Sequence, residues 1–153
     1  MHRVFGAPQP GLAYRIRPGA YGVAFDRQGN AAMVYCREKG YFLLGGGIEP
    51  GESEEACLRR EALEEAGLSV ALGDKICIGE EYVPNDTEGR PLHPVGHVYL
   101  MELGERIAEP VEPDHSLVWL PVDQCREKMF LHFQAWAVET AWAYQMNKLK
   151  EKD

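Results

Sequence analysis

The sequence predicts an α/β sandwich in which a mixed β-sheet is layered against two main helices. Three observations carry that prediction: short runs of β-forming residues between turn signals, one well-capped helix in the first half, and one long amphipathic helix near the end.

Residues 1–12, with Gly6, Pro8, Pro10 and Gly11, read as an arm or loop. Residues 14–25 and 31–37 are rich in β-formers. They are separated by Asp26-Arg27-Gln28-Gly29-Asn30, which predicts a hairpin. Residues 41–44 form a short apolar strand running into Gly45-Gly46-Gly47. Residues 53–66 make the first helix: Ser53 is a suitable N-cap, Glu54 and Glu55 suit the first turn, and Gly67 stands at the C-terminal cap. Further strands are expected over 76–83, 97–102 and 117–120, and a short helix from Pro121. Residues 130–149 carry Leu131, Ala135, Val138, Trp142 and Leu149 at helical spacing.

A chain of 153 residues is long enough for one domain with a real core, taken as 1–153, and too short for two ordinary ones. With 45% apolar and 26% charged residues the composition is that of a soluble globular protein. The start, Met1-His2-Arg3-Val4, lacks the apolar stretch of an export signal, and no apolar run is long enough to span a membrane. The expected compartment is cytoplasmic. Cys36, Cys57, Cys77 and Cys125 are widely spread and read as free thiols rather than a disulfide or zinc framework. The net charge of −8, from 24 acids against 16 bases, disfavours a nucleic-acid polymer as partner. A small phosphorylated substrate remains compatible with that charge where a divalent cation supplies positive charge locally.

The informative segment is GGGIEPGESEEACLRREALEEAGL, from Gly45 to Leu68. A glycine-rich loop delivers a strand into a helix carrying Glu61, Glu64 and Glu65, which fall within an arc of roughly 100° at 3.6 residues per turn. The opposite arc, Ala56, Ala62, Leu63 and Ala66, is the face expected against the sheet. Like charges at i,i+4 such as Glu61 and Glu65 weaken a helix. A hard divalent cation would relieve the repulsion, and Mg²⁺ takes one or two carboxylates together with substrate phosphates. A solvated acidic helix face is the plainer explanation of the charge cluster taken alone.

The spacing goes further than the charge. The segment resembles the signature of the Nudix hydrolases, G-x5-E-x7-R-E-U-x-E-E-x-G-U with U a bulky aliphatic residue, and all seven glycine and charged positions match: Gly46, Glu52, Arg60, Glu61, Glu64, Glu65 and Gly67. It departs at Ala62, smaller than the usual aliphatic, and at Leu44, where many members have proline. The resemblance implies the Nudix α/β/α sandwich, with the box helix and a long C-terminal helix. It implies hydrolysis of a pyrophosphate bond in a nucleoside diphosphate linked to another group. The candidates are a nucleoside triphosphate, a dinucleoside polyphosphate, ADP-ribose or a nucleotide sugar. It also implies that Glu61, Glu64 and Glu65, with the Gly45 carbonyl, bind Mg²⁺, with Mn²⁺ as substitute, and that Glu61 is catalytic. Glu52 and Arg60 would pair to hold the loop on the helix. The family often draws a further ligand or general base from a loop like residues 109–115; Glu112 is the first choice there, Asp114 the second, and Glu81 and Glu102 follow. The alternative is a nucleotide-sensing module on the same fold without turnover.

Other residues admit two readings. Arg37 either faces substrate phosphates or is an exposed hairpin-end residue. Arg15 and Arg17 are either a phosphate clamp or the polar face of an edge strand. His93 and His97 are separated by Pro94 and Gly96, which exclude a helix and disfavour a metal pair. Trp136 and Trp142 read as core or homodimer contacts. Cys57, on the box helix, is not placed to serve a prenyl diphosphate isomerase. The expected partner is a small nucleotide, without a nucleic-acid polymer or a membrane.

Overall fold

The computed structural model describes residues 1–111 and 115–151. Eight strands, in order β1 (His2–Phe5), β2 (Arg15–Val23), β3 (Asn30–Cys36), β4 (Gly40–Phe42), β5 (Leu44–Gly47), β6 (Leu68–Glu81), β7 (Leu92–Arg106) and β8 (His115–Pro121), accompany helices α1 (Glu54–Ala66), α2 (Cys125–Lys128) and α3 (His132–Glu151). The larger sheet is mixed, in the order β1-β6-β7-β2-β5, and a smaller antiparallel one runs β4-β3-β8.

The layers follow from alternation along β2 and β3. Tyr21, Val23, Ala31 and Met33 enter the core under α3, whereas Ala20, Ala24, Ala32 and Val34 enter the core under α1. Both faces of these strands are covered, so they read as nearly continuous apolar runs rather than alternating ones. Helix α1 lies against β5, β2, β6 and β8, and α3 against β6, β1 and β2. The result is a mixed α/β fold with helices on either side of the strands, as the sequence predicts.

Three expectations are corrected. First, residues 2–5 are not an arm or loop: they form β1, parallel to β6 with His2 opposite Ile78. An exposed edge strand docks through its backbone and needs no apolar signature. Second, residues 26–30 do turn the chain, with Asp26 Oδ1 accepting from Gln28 N and Asn30 N at 2.9 Å. Yet β2 and β3 diverge into different sheets after the Phe25–Ala31 bridge, so the hairpin is only a stub. Third, α1 buries Cys57, Leu58, Ala62, Glu65 and Ala66, while Ala56 and Leu63 are exposed. The carboxylate face and the buried face overlap rather than oppose one another.

Helix α1 begins where Ser53 Oγ accepts from Ala56 N at 3.1 Å and ends at Gly67, left-handed at φ 68°. Helix α3 is seated by Phe133, which packs on two paired glycines: a Cβ on Gly79 or Gly96 would come within 2.7 or 2.4 Å of its ring. Its buried stripe is Phe133, Gln134, Ala135, Ala137, Val138 and Ala141; Leu149, expected in that stripe, is exposed. Trp142 packs on Phe25 and Trp136 on Phe5, with ring centroids 5.0 and 5.9 Å apart. Among the described residues no helix is long and apolar enough to cross a membrane.

Candidate active site

The site forms where β5 runs under α1. Successive residues of a strand face opposite ways, and Gly46 and Gly47 use both. A Cβ on Gly46 would lie 2.6 Å from Glu61 Cδ, and one on Gly47 would lie 2.8 Å from Arg17 Nε. Only bare backbone at these two positions admits a carboxylate on one side and a guanidinium on the other. One residue earlier, Gly45 N donates to Glu65 Oε1 at 2.9 Å, holding a carboxylate that is 7% exposed. The helix therefore turns its acids inward onto glycine backbone, which explains the overlap of its buried and acidic faces.

Arg60 ties the loop to the helix. Its Nε and Nη2 bond the two oxygens of Glu52 at 2.7 and 3.0 Å, and Nη2 also donates to Gly47 O at 3.1 Å. Nη1 reaches Glu61 Oε1 at 3.0 Å and Glu64 Oε2 at 3.3 Å. The forked bond to Arg60 holds the Glu52 carboxyl down at about 2, and the same contact raises the guanidinium above its usual value. The thiol of Cys57 is fully buried, donates to Gly46 O at 3.4 Å, and is pushed up to about 11 by burial, so it is no nucleophile.

Glu61 and Glu65 open into a cleft of about 500 Å³. Its lining includes basic residues (Arg15, Arg17, Lys39, Arg90) and apolar ones (Phe42, Leu43, Leu92, Phe130, Leu131), together with Tyr21, Gln134 and the acids Asp86 and Glu88. Arg90 is paired with Glu88, whereas among the described residues Arg15, Arg17 and Lys39 form no ion pair. The first half of β2 pairs only with β7, and its arginines reach the cleft instead of forming a bland polar edge. Arg37 sits in the β3–β4 turn and lines an adjacent depression with Cys36, Glu38, Lys39 and His115.

The other candidates separate by location. Glu112 and Asp114 lie outside the described residues. Glu81 is buried away from the cleft, accepting from Phe133 N at 2.9 Å with His132 Nδ1 at 3.3 Å, and Glu102 lines a groove beside α3 with Gln145 and Lys148. His93 bonds Glu80 at 2.8 Å and stacks on Tyr82 at 4.2 Å; His97 contacts Lys75 at 2.9 Å. Each of these imidazoles has its own protein partner.

The donor set bears on a metal. Among the described residues no three carboxylate, histidine or cysteine side chains are gathered closely enough to hold an ion. Arg60 stands between Glu61 and Glu64, while Glu61 and Glu65 share the cleft wall. An all-oxygen pair of carboxylates beside an open cleft suits a hard cation that completes its shell with substrate phosphate. A cage of protein ligands is not required, and the residues fit.

The family model for the NUDIX domain matches residues 15–139. The chain belongs to the NUDIX family. Members of this family are pyrophosphohydrolases that typically use a divalent metal. Solved structures similar to it include a NUDIX hydrolase from Nitrosomonas europaea, with a TM-score of 0.65 at 18% identity, covering 88% of this chain and 91% of that one. Another is a UDP-X diphosphatase, with a TM-score of 0.62 at 19% identity and coverage of 87% and 68%. A third is a MutT NUDIX hydrolase from Burkholderia pseudomallei, with a TM-score of 0.59 at 23% identity and coverage of 82% and 98%. At these identities the likeness is one of fold. Among curated proteins, none matches the chain in sequence.

Sequence reasoning missed two features of this Nudix cleft. It placed the acids opposite the buried face because it scored them as polar, although the glycine run was the available signal. It also passed over Gln134, whose signal was one polar residue between Phe133 and Ala135 in an otherwise apolar stripe.

Proposed function

We propose that this Nudix protein hydrolyses a pyrophosphate bond in a nucleoside diphosphate linked to a further group, releasing two phosphorylated products. The observation that carries the reading is one cleft lined by the two carboxylates Glu61 and Glu65 and by Arg15 and Arg17, which form no ion pair among the described residues. In this reading Glu61, Glu64 and Glu65, with the Gly45 carbonyl, would hold Mg²⁺ or Mn²⁺. The cation would supply charge neutralisation on the diphosphate and acidify the attacking water. Arg17 and Arg15 bind the phosphate oxygens, with Arg37 near the cleft mouth as a further contact. Glu52 positions Arg60, and Arg60 positions Glu61. Glu61 acts as a catalytic carboxylate, and Glu112 remains the proposed partner that takes the proton from water. A UDP-X diphosphatase of similar fold supports this substrate class.

The test is turnover by the purified protein with Mg²⁺ across nucleoside triphosphates, dinucleoside polyphosphates, ADP-ribose and nucleotide sugars, with products resolved by chromatography. At least one should split at the pyrophosphate bond. Excess EDTA should abolish that activity, Mn²⁺ or Mg²⁺ should restore it, and the melting temperature should barely change. Absence of turnover with either metal would leave a sensing module and sink the hydrolase reading; full activity in EDTA would sink the metal.

A further inference from the structure

We propose that Gln134 reads the nucleobase of the substrate and selects bases that present a keto oxygen over bases that present an amino group. This rests on the hydrolase reading for the cleft and adds the class of base to it.

Gln134 is 1% exposed and lines the cleft from the first turn of α3. Its Oε1 accepts from Leu43 N at 2.8 Å. A backbone N–H can bond only the oxygen of a carboxamide, so this contact fixes which way the amide faces. The nitrogen end is then the free end: among the described residues Nε2 has no protein partner, and it is not among the fully buried unpaired atoms, so the little of Gln134 that is exposed includes it. A donor held in place by the backbone and bordering a cleft is set to meet an acceptor on a ligand.

The surroundings say what kind of ligand. Phe42, Leu43, Phe130 and Leu131 line the same part of the molecule, with the Phe42 and Phe130 rings 5.7 Å apart at 41°. A flat heteroaromatic ring matches such walls, whereas a phosphate or a free sugar does not. The chain also sets the direction. Leu43 N holds Gln134, and two residues on, Gly45 N holds Glu65, so one short stretch of backbone fixes both side chains at the cleft. A base at Gln134 therefore directs its ribose and diphosphate toward Glu61 and Glu65.

The orientation of the amide gives the preference. With Oε1 committed to Leu43, the residue offers hydrogens only. It can donate to the keto oxygen of hypoxanthine, guanine or uracil, and it meets the amino group of adenine or cytosine donor against donor. A site that bonds a particular polar group discriminates strongly against an analogue that cannot complete the bond.

The experiment compares pairs that differ at that group and at the ring nitrogen beside it: inosine against adenosine triphosphate, and uridine against cytidine triphosphate. kcat/KM with Mg²⁺ and equilibrium binding in Ca²⁺ are both measured. The keto member of each pair should be favoured at least about tenfold. Gln134→Glu keeps an acceptor for Leu43 N and replaces the donor by an acceptor, so the preference should reverse. Gln134→Met should level it, and thermal melting confirms that each variant is folded. Equal handling of both members by the wild type overturns the inference, as does either folded variant keeping the wild-type ratio. Turnover without base discrimination would leave the hydrolase reading standing. Keto-selective binding without turnover would fail the hydrolase reading and leave this one.

Discussion

Glu65 and Glu81 are equally buried, each 7% exposed, and each accepts a bond from a backbone N–H at 2.9 Å. By burial and bonding alone they are the same residue. Their surroundings separate them. Glu81 caps the first turn of α3, where Phe133 N and the neighbouring His132 offer it positive partners. Glu65 also has a histidine near it, His115 Nδ1 at 3.8 Å, but it shares its helix face with Glu61 and opens into the cleft. Glu81 serves the fold by closing the Phe133 N–H at the start of α3, with no cleft in front of it among the described residues. A carboxylate buried beside its own kind, with space in front, is costly to stability and is kept for what enters the space.

The largest effect should separate these two acids. Glu61→Gln and Glu65→Gln should each lower kcat by orders of magnitude while leaving the fold intact, because glutamine keeps the shape and, at 65, the acceptor for Gly45 N. Loss of a like charge should leave the melting temperature in EDTA equal to or above that of the wild type. Glu81→Gln, equally conservative, should leave kcat within a few-fold. The comparison breaks if the Glu81 variant loses rate as severely as the other two.

That division was only partly legible in the sequence. The box could be read because its spacing is a property of one strand, one loop and one helix, all local. The Glu52–Arg60 contact is local too, and the structure brings those side chains together through two oxygens. What decides between Glu65 and Glu81 is not local. Phe133 lies 52 residues from Glu81 in sequence, and Leu43 lies 91 residues from Gln134. No periodicity encodes such meetings. The split of β2 from β3 was hidden for a similar reason: a turn signal shows that the chain reverses, not which sheet receives the returning strand. Strand β1 escaped because its docking uses backbone groups that every sequence possesses.

The next effect sharpens the comparison from the basic side. Arg60 touches Glu52, Glu61, Glu64 and the Gly47 carbonyl, so it is a positioning residue that offsets the like charges of the helix. Arg60→Ala should lower both the melting temperature, by a few degrees, and the rate, by about tenfold or more. Arg60→Lys should recover stability better than rate, because an ammonium offsets charge but cannot fork onto Glu52. If Arg60→Ala melts with the wild type and keeps its rate, the loop is held by something else.

The smallest effect is in the acid limb of stability, and here the two regions should move in opposite directions. Glu52 is held at about 2 by Arg60, below its ordinary 4.5. Its contribution to stability is therefore fully present above pH 4.5 and is lost as the pH falls toward 2. Glu81 is raised above 4.5, chiefly by burial and against the pull of Phe133 N and His132. Its ionisation opposes folding, so that penalty is absent below pH 4.5 and grows as the pH rises from there through its folded value. Melting curves from pH 2 to 7 for the wild type, Glu52→Gln and Glu81→Gln read both terms. The wild-type advantage over Glu52→Gln should shrink on acidification. The wild type should instead gain on Glu81→Gln as the pH falls, since protonation gives it the neutral carboxyl that glutamine imitates at every pH, with Phe133 N still bonded in both. Parallel curves for the Glu81 pair would mean that His132 and the helix terminus outweigh burial. The buried acid of α3 would then be as comfortable charged as in water, and the contrast with Glu65 would rest on the cleft alone.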